Sequence, residues 1–271
     1  MKVSQIMVEP VTIDKDQRLS HALDLLEKKR VDRLIVTEGN EVRGILTYAD
    51  IADRLGVSKV VAVSIGRLHV SSAMSETVIS VKPDDDVADV AQLMVDRGMS
   101  GCPVIDDEKG LVGVVTKREL LPLMMKFDDI KVKELMTSGD ILQANPVERL
   151  IKARMDLLTA GYSGMPITDG HRVIGLLTER LVARAMAKFS EEVPDKHRAN
   201  QIRLLRVADA MLSDPPVVKD EDSIAKAAQI MIDTNLNTLP VVDSEDRLVG
   251  IISTTDMARF IANKFRVPDR D

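Results

Sequence analysis

Apolar positions along this chain fall into one arrangement that recurs four times. Each copy opens with an apolar residue four positions before a methionine: Val3 and Met7, Val70 and Met74, Val132 and Met136, Val207 and Met211. The methionines stand 67, 62 and 75 positions apart, a near-regular spacing with variable linkers. A stripe at helical spacing follows: Leu19, Ala22, Leu23 and Leu26; then Val87, Val90, Ala91 and Met94; then Ile224, Ala227, Ala228 and Met231. The third copy is looser, reading Val147, Leu150, Ile151, Met155 and Leu158. Such stripes predict amphipathic helices with one buried face. Two short unbroken apolar runs come next in each copy, for example Leu34-Ile35-Val36 and Gly44-Ile45-Leu46, or Pro240-Val241-Val242 and Gly250-Ile251-Ile252. Runs of this length predict strands buried on both faces. Polar turns join them, and a final helix starts at a hydroxyl: Thr47, Thr116, Thr178 or Ser253.

The repeating unit is therefore helix, strand, turn, strand, helix, and the expected fold class is α/β (α+β). Its four domains span residues 1–60, 68–127, 130–189 and 205–265. A unit of roughly 55 residues with few aromatics buries too little surface to stand alone. Copies one and two are thus expected to pair, and copies three and four likewise. The polar stretch from Ser190 to Asn200, containing Pro194, reads as a linker or an extra helix.

Composition narrows the function. With 37 Lys+Arg against 43 Asp+Glu, the net charge of −6 argues against general binding of nucleic acid or anionic lipid. Aromatics at 2% with no Trp leave no base-stacking platform. One cysteine, Cys102, rules out an intrachain disulfide framework, and the four histidines are not spaced as a metal pair. No apolar run approaches a membrane span, and Met1–Gln5 lacks the apolar core of a signal peptide, so a cytoplasmic protein is expected. The phosphate-cradle and nucleophile-elbow motifs do not occur, and no residue set stands out as catalytic.

The chemistry that does recur sits at the last helix of each copy. In Thr47-x-x-Asp50 and Ser253-x-x-Asp256 a hydroxyl opens a helix and a carboxylate follows three residues on. A helix start presents unpaired N–H groups that suit a phosphate, and a carboxylate can accept from ribose hydroxyls. The same spacing is also a capping box, which needs no ligand. Thr116-x-x-Glu119 fits both readings with a longer side chain, whereas Leu181 in the third copy cannot accept a hydrogen bond.

The methionine-containing openings, the Ser-Gly-x-Pro segments (Ser100–Pro103 and Ser163–Pro166) and the Gly-apolar-apolar-[Ser/Thr]-x-x-Asp endings resemble the cystathionine-β-synthase (CBS) domain family. The resemblance covers nearly the whole chain in four copies. The layout is similar to that of stand-alone archaeal four-domain proteins and of the γ subunit of AMP-activated protein kinase. It implies two Bateman modules forming a disc and a non-enzymatic regulatory sensor with no catalytic cofactor. The implied effector is an adenine nucleotide (AMP, ADP or ATP). Asp50 and Asp256 are then expected to bind ribose. Thr47, Ser253, Thr116, Arg33 and Arg118 would lie by the phosphate, with Arg180 and Lys117 as further cations. Asp32 stands where the γ subunit has histidine. The family rule shares each cleft between paired repeats, so Thr77, Val78, Met99, Ser100 and Cys102 would wall the Asp50 site. Ile141, Tyr162, Ser163 and Met165 would wall the Asp256 site. Two competent sites, one doubtful and one dead follow. A protein partner, an enzyme or transporter, would read the ligand-driven change, in a monomer or homodimer. Two alternatives stay open: a site for S-adenosylmethionine or methylthioadenosine, and an interaction scaffold whose sites have decayed.

Overall fold

The computed structural model describes residues 1–57 and 63–265; residues 58–60 of the first expected domain lie outside them. The first repeat comprises β1 (Thr12–Asp14), α1 (Leu19–Lys29), β2 (Arg33–Glu38), β3 (Glu41–Thr47) and α2 (Tyr48–Gly56). The second has α3 (Val87–Asp96), β4 (Gly101–Asp106), β5 (Gly110–Thr116) and the single-turn α4 (Leu121–Met124). The third has α5 (Leu150–Ala160), β6 (Gly164–Asp169), β7 (Arg172–Thr178) and α6 (Glu179–Glu192), followed by α7 (Asp195–Gln201). The fourth has β8 (Leu212–Ser213), β9 (Val218–Lys219), α8 (Ile224–Thr234), β10 (Thr238–Val242), β11 (Leu248–Ser253) and α9 (Thr254–Phe265). The expected helix–strand–strand–helix order is present in every copy. The polar stretch after α6 folds as the extra helix α7.

The two main strands of each copy pair antiparallel, with the first residue of one opposite the last of the other, as Arg33 lies opposite Thr47. A short parallel strand that the apolar pattern does not reveal precedes the first helix. It is β1 beside β2 and β9 beside β10. In the second and third copies it shrinks to single bridges, Val81 with Val104 and Ala144 with Ile167.

Contacts gather the chain into two compact units. One contains Met1–Pro10, Ile79–Ile141 and the chain from Pro216 on; the other contains Val11–Val78 and Leu142–Pro215. The first has its own core around Val87, Met94, Leu121, Met231 and Ile261, with α3 packed on α9 and α4 on α8. The second has a core around Leu19, Leu26, Ile51, Leu157 and Met186, with α2 packed on α6 and α5. Helix packing thus joins repeats two and four in one unit and repeats one and three in the other, a partnership the sequence pattern does not disclose.

Repeats one and two exchange their opening segments, and so do repeats three and four, whereas the apolar cores join one with three and two with four. Val8, from the opening of the first repeat, trades both backbone hydrogen bonds with Val114 on β5, each 2.9 Å. Ser75, from the opening of the second, does the same with Ile45 on β3 at 2.9 and 3.0 Å. Thr137 pairs likewise with Ile251 on β11, and β8 runs antiparallel to β7. Strand edges left open by one repeat are closed by the other.

One stripe departs from expectation. In the third copy the buried face of α5 is Leu150, Ala153, Arg154 and Leu157. Val147 and Met155 are instead exposed, 72% and 56%. The helix begins at Leu150, which makes that residue the counterpart of Leu19. The buried Arg154 occupies an inward position that an apolar pattern skips.

Candidate ligand cleft

At the start of α2, Asp50 Oδ2 accepts hydrogen bonds from the Thr47 amide (2.7 Å) and from the Thr47 hydroxyl (2.6 Å), while the Asp50 amide donates back to that hydroxyl at 3.3 Å. This is a full capping box. Ser253 gives Asp256 Oδ2 the same two bonds, from its amide at 2.9 Å and its hydroxyl at 2.8 Å. Glu119 reaches the Thr116 amide at 2.7 Å and accepts from its hydroxyl, so the extra methylene does not prevent the cap. In the third copy the Thr178 hydroxyl only accepts from the Leu181 amide, at 3.3 Å, because Leu181 offers no carboxylate. A hydroxyl has a single proton. With that proton given to the carboxylate, Thr47, Thr116 and Ser253 have none left for a phosphate in this arrangement.

The second carboxylate oxygen separates the copies. Asp256 Oδ1 is taken by Arg259 at 3.0 Å, and Asp256 is only 6% exposed. Asp50 Oδ1 lies outside the cap. Asp50 also lines an open cleft of about 500 Å³. α2 supplies Asp50, Asp53 and Arg54, and Val57 follows its end; the opening segment of the second repeat supplies Ser72 and Ala73; α5 supplies Leu158 and Thr159. Arg154, from α5, anchors the cleft by donating to the Ala52 carbonyl (3.2 Å) and Asp53 (3.1 Å). It lies directly on Gly56, where any side chain would collide with its guanidinium.

Charge around Asp50 is mixed. Burial pushes its carboxyl above the usual carboxylate range, against the two bonds from Thr47 and the positive charge of Arg33; the negative charge of Asp53 adds to the rise. Glu179, first residue of α6, is pushed up to about 7, chiefly by burial and then by the negative charges of Asp32 and Asp50, with Arg33 opposing. Asp32, Arg33, Asp50 and Glu179 therefore form one electrostatic cluster, acidic on balance.

The remaining expected site residues divide. Thr77 (exposed) and Val78 (half-buried) belong to the same unit as Asp50, and Ile141 to the same unit as Asp256. Met99, Ser100 and Cys102 lie in the unit that holds Asp256, and Tyr162, Ser163 and Met165 in the unit that holds Asp50. Cys102 and Met165 are 0% and 1% exposed within the cores of those units, so neither offers a wall to a ligand. Both lie in strands whose consecutive residues are buried, so neither face of the strand meets solvent there. Tyr162 is 44% exposed. Arg118 is also reassigned: its guanidinium reaches Asn237 Oδ1 (3.3 Å) and the carbonyls of Met231 (3.3 Å) and Ile232 (3.4 Å), closing the C-terminal turn of α8. Lys117 is buried and donates to Thr255 at 3.0 Å. Arg33, 6% exposed, stays beside Asp50. The residues missed in the sequence are Asp53, Arg54, Arg154 and Glu179. The sole signal for Arg54 was its spacing of four from Asp50, which also reads as an ordinary intrahelical ion pair.

Among the described residues no cluster of His, Cys, Asp or Glu could hold a metal ion, and no helix is long and apolar enough to cross a membrane.

Comparison with known proteins fits this geometry. The family model described as CBS domain matches residues 3–57, 70–126, 132–188 and 207–263. MJ1225 of Methanocaldococcus jannaschii is 26% identical over 277 residues, spanning 97% of this chain and 98% of its own. The crystal structure of MJ1225, described as a proposed archaeal homologue of γ-AMPK, has a TM-score of 0.85 at 24% identity and covers 97% of this chain and all of its own. An uncharacterized conserved protein from Pyrococcus horikoshii has a TM-score of 0.64 at 19% identity, covering 96% of this chain and 100% of its own. CBSX2 of Arabidopsis thaliana, a chloroplastic CBS domain-containing protein, is 27% identical over 179 residues, 66% of this chain and 56% of its own.

Proposed function

The chain belongs to the CBS-domain family in four copies, and from that premise we propose that it is a non-catalytic sensor of an adenosine-containing ligand, an adenine nucleotide first among them. The observation that carries this reading is Asp50. Thr47 holds its carboxylate through one oxygen, and the residue borders a cleft of about 500 Å³, within the usual size range of small-ligand pockets. The free oxygen is available to accept from a ribose diol, while Ala73, Val57 and Leu158 supply apolar surface for a base. Asp256 is the second ribose site, reached once Arg259 gives up its ion pair. The third repeat, with Leu181, has none.

Because the Asp50 cleft takes residues from three repeats, a ligand there ties them together and shifts their equilibrium by its differential affinity. A protein partner reads that shift. S-adenosylmethionine is the second reading, favoured by the acidic balance of Asp32, Asp50 and Glu179, which suits a cationic ligand. Thermal-shift titration with AMP, ADP, ATP and S-adenosylmethionine tests the proposal, since a ligand of the native state raises the midpoint. The sensor reading requires at least one to stabilise the protein, with the effect weakened in Asp50→Asn. If none does, the scaffold reading takes its place.

A further inference from the structure

We propose that the exposed ladder of Val147, Arg149, Leu204 and Arg206 is a docking surface for an acidic segment of a partner protein, one that carries apolar side chains beside its carboxylates. Such docking goes beyond the sensor reading and does not rest on it. The four repeats supply an internal comparison. In each, the residues before the first helix pair with the opening of the partner repeat. The amide that begins the helix, of Leu19, Val87, Leu150 or Ile224, donates to the carbonyl of Leu68, Met1, Leu205 or Ile130 respectively. The four ladders therefore correspond residue for residue. Val147 corresponds to Asp16, Asp84 and Glu221, and Leu204 to Arg67 and Asp129. The other ladders thus carry charge at these places. The third repeat instead has the two most exposed large apolar side chains among the described residues, Val147 at 72% and Leu204 at 66%.

The facing pair differs as well. Lys2 lies opposite Asp86, Lys131 opposite Ser223, and Arg18 opposite His69, to which it is hydrogen-bonded at 2.8 Å. Arg149 lies opposite Arg206, and like charges face to face on a ladder repel. Charges on the other ladders are neutralised locally: Asp86 by the chain's amino group at 3.1 Å, Glu221 by Lys133 at 2.5 Å and Arg67 by Asp195 at 3.2 Å. Arg206 donates to the Val147 carbonyl at 3.1 Å. Among the described residues none of Arg149, Arg206 and the exposed Arg203 forms an ion pair. A carboxylate set between Arg149 and Arg206 would remove the repulsion and accept two N–H groups from one guanidinium. Val147 and Leu204 each stand two residues from one of these arginines, at opposite ends of the pair, where apolar side chains flanking that carboxylate would meet them. Exposed apolar groups of this kind mark a protein-binding surface, whereas a polyanion would be held by charge alone.

The test is selection of displayed random peptides on the full chain. The best enriched peptide is then titrated into wild type, Arg149→Asp/Arg203→Asp and Val147→Asp/Leu204→Asp. The corresponding places on other ladders already hold aspartate (Asp86, Asp128, Asp84 and Asp129), so both variants should keep the wild-type unfolding midpoint. Should either unfold early, the single substitutions Arg149→Asp and Val147→Asp take its place. The expected result is that enriched peptides combine Asp or Glu with Leu, Ile, Val or Phe, and that the chosen peptide binds each variant at least tenfold more weakly. Absence of enrichment, enriched peptides without acidic residues, or equal affinity for wild type and both variants overturns the assignment. Loss in only one variant also overturns it, because the surface then reads charge or apolar contact alone. Vesicles containing phosphatidylserine are run alongside. Vesicle binding that both variants lose, with no peptide enriched, would give the surface to a membrane and overturn its assignment to a protein.

Discussion

The Met7 side chain lies against the bare backbone of Gly113: a Cβ placed on that glycine would stand 2.8 Å from the Met7 sulfur. The same relationship joins Met74 to Gly44 and Met211 to Gly175, at 3.0 and 2.6 Å, and Met136 to Gly250. Each methionine opens one repeat, and each glycine lies on the second main strand of the paired repeat. The two residue types that mark the repeats in the sequence are thus the two halves of one contact. Glycine gives room for the crossing segment, and the unbranched thioether fills it.

Gly113→Ala is therefore expected to destabilise the protein by about 1–3 kcal/mol, the usual range for forcing a methylene into a packed site. Urea unfolding measures the loss. The same substitution in a Met7→Ala background should cost measurably less, because the obstructing atom is gone. Equal losses in the two backgrounds would show that the sulfur is not what fills the notch.

Arg259 occupies the oxygen of Asp256 that a ribose would need. Arg259→Ala should raise the affinity of AMP at the Asp256 site, read as a second binding event in calorimetry that wild type shows only at higher concentration. The pair is half open to solvent on the arginine side, 52% exposed, so little stability should be lost. A single event in both proteins would remove Asp256 from the ligand-binding set.

Glu179 ties stability to pH. Its carboxyl is raised from 4.5 to about 7 by burial and by Asp32 and Asp50. The native state therefore holds a proton that the unfolded chain releases, and stability falls as pH rises from about 4.5 to 7, then levels off. Its contribution is fully present below 4.5. In Glu179→Gln this decline should flatten, leaving the variant more stable than wild type above neutrality and not below pH 4.5. Denaturant midpoints at four or five pH values give the answer. Parallel curves would contradict it.

Arg154 is buried, yet its ion-pair partner Asp53 is 70% exposed on its side chain and its own Nε lacks a hydrogen bond. Arg154→Leu restores the apolar stripe of α5, giving up a weak pair and the bond to the Ala52 carbonyl while removing an unsatisfied donor. The expected change in unfolding free energy is within about 1 kcal/mol. A loss above roughly 3 kcal/mol would mean that the pair behaves as a fully buried one.

Local rules account for what could be read early. The stripes Leu19–Leu26, Val87–Met94 and Ile224–Met231 became helices with those residues inside, and the hydroxyl–carboxylate pairs became caps, because both depend on neighbours three or four residues apart. The same locality misled the reading of α5, where Arg154 faces inward only because α2 provides the Ala52 carbonyl, Asp53 and the open face of Gly56. It also concealed β1 and β9, two or three residues long, whose place is fixed by a parallel neighbour rather than by any pattern of their own.

By itself the sequence determined that four like units exist, which residues the first helices of repeats one, two and four turn inward, and where a carboxylate follows a helix-opening hydroxyl. Those facts follow from periods of two and 3.6 residues that any stretch of chain carries within itself. Tertiary structure alone decided which methionine meets which glycine, which helices pack in a unit, and why Asp50 borders a cleft while Asp256 is held by its own arginine. Each of those outcomes rests on atoms brought together from distant parts of the chain or on the direction of a single side chain, and neither is written in a local period.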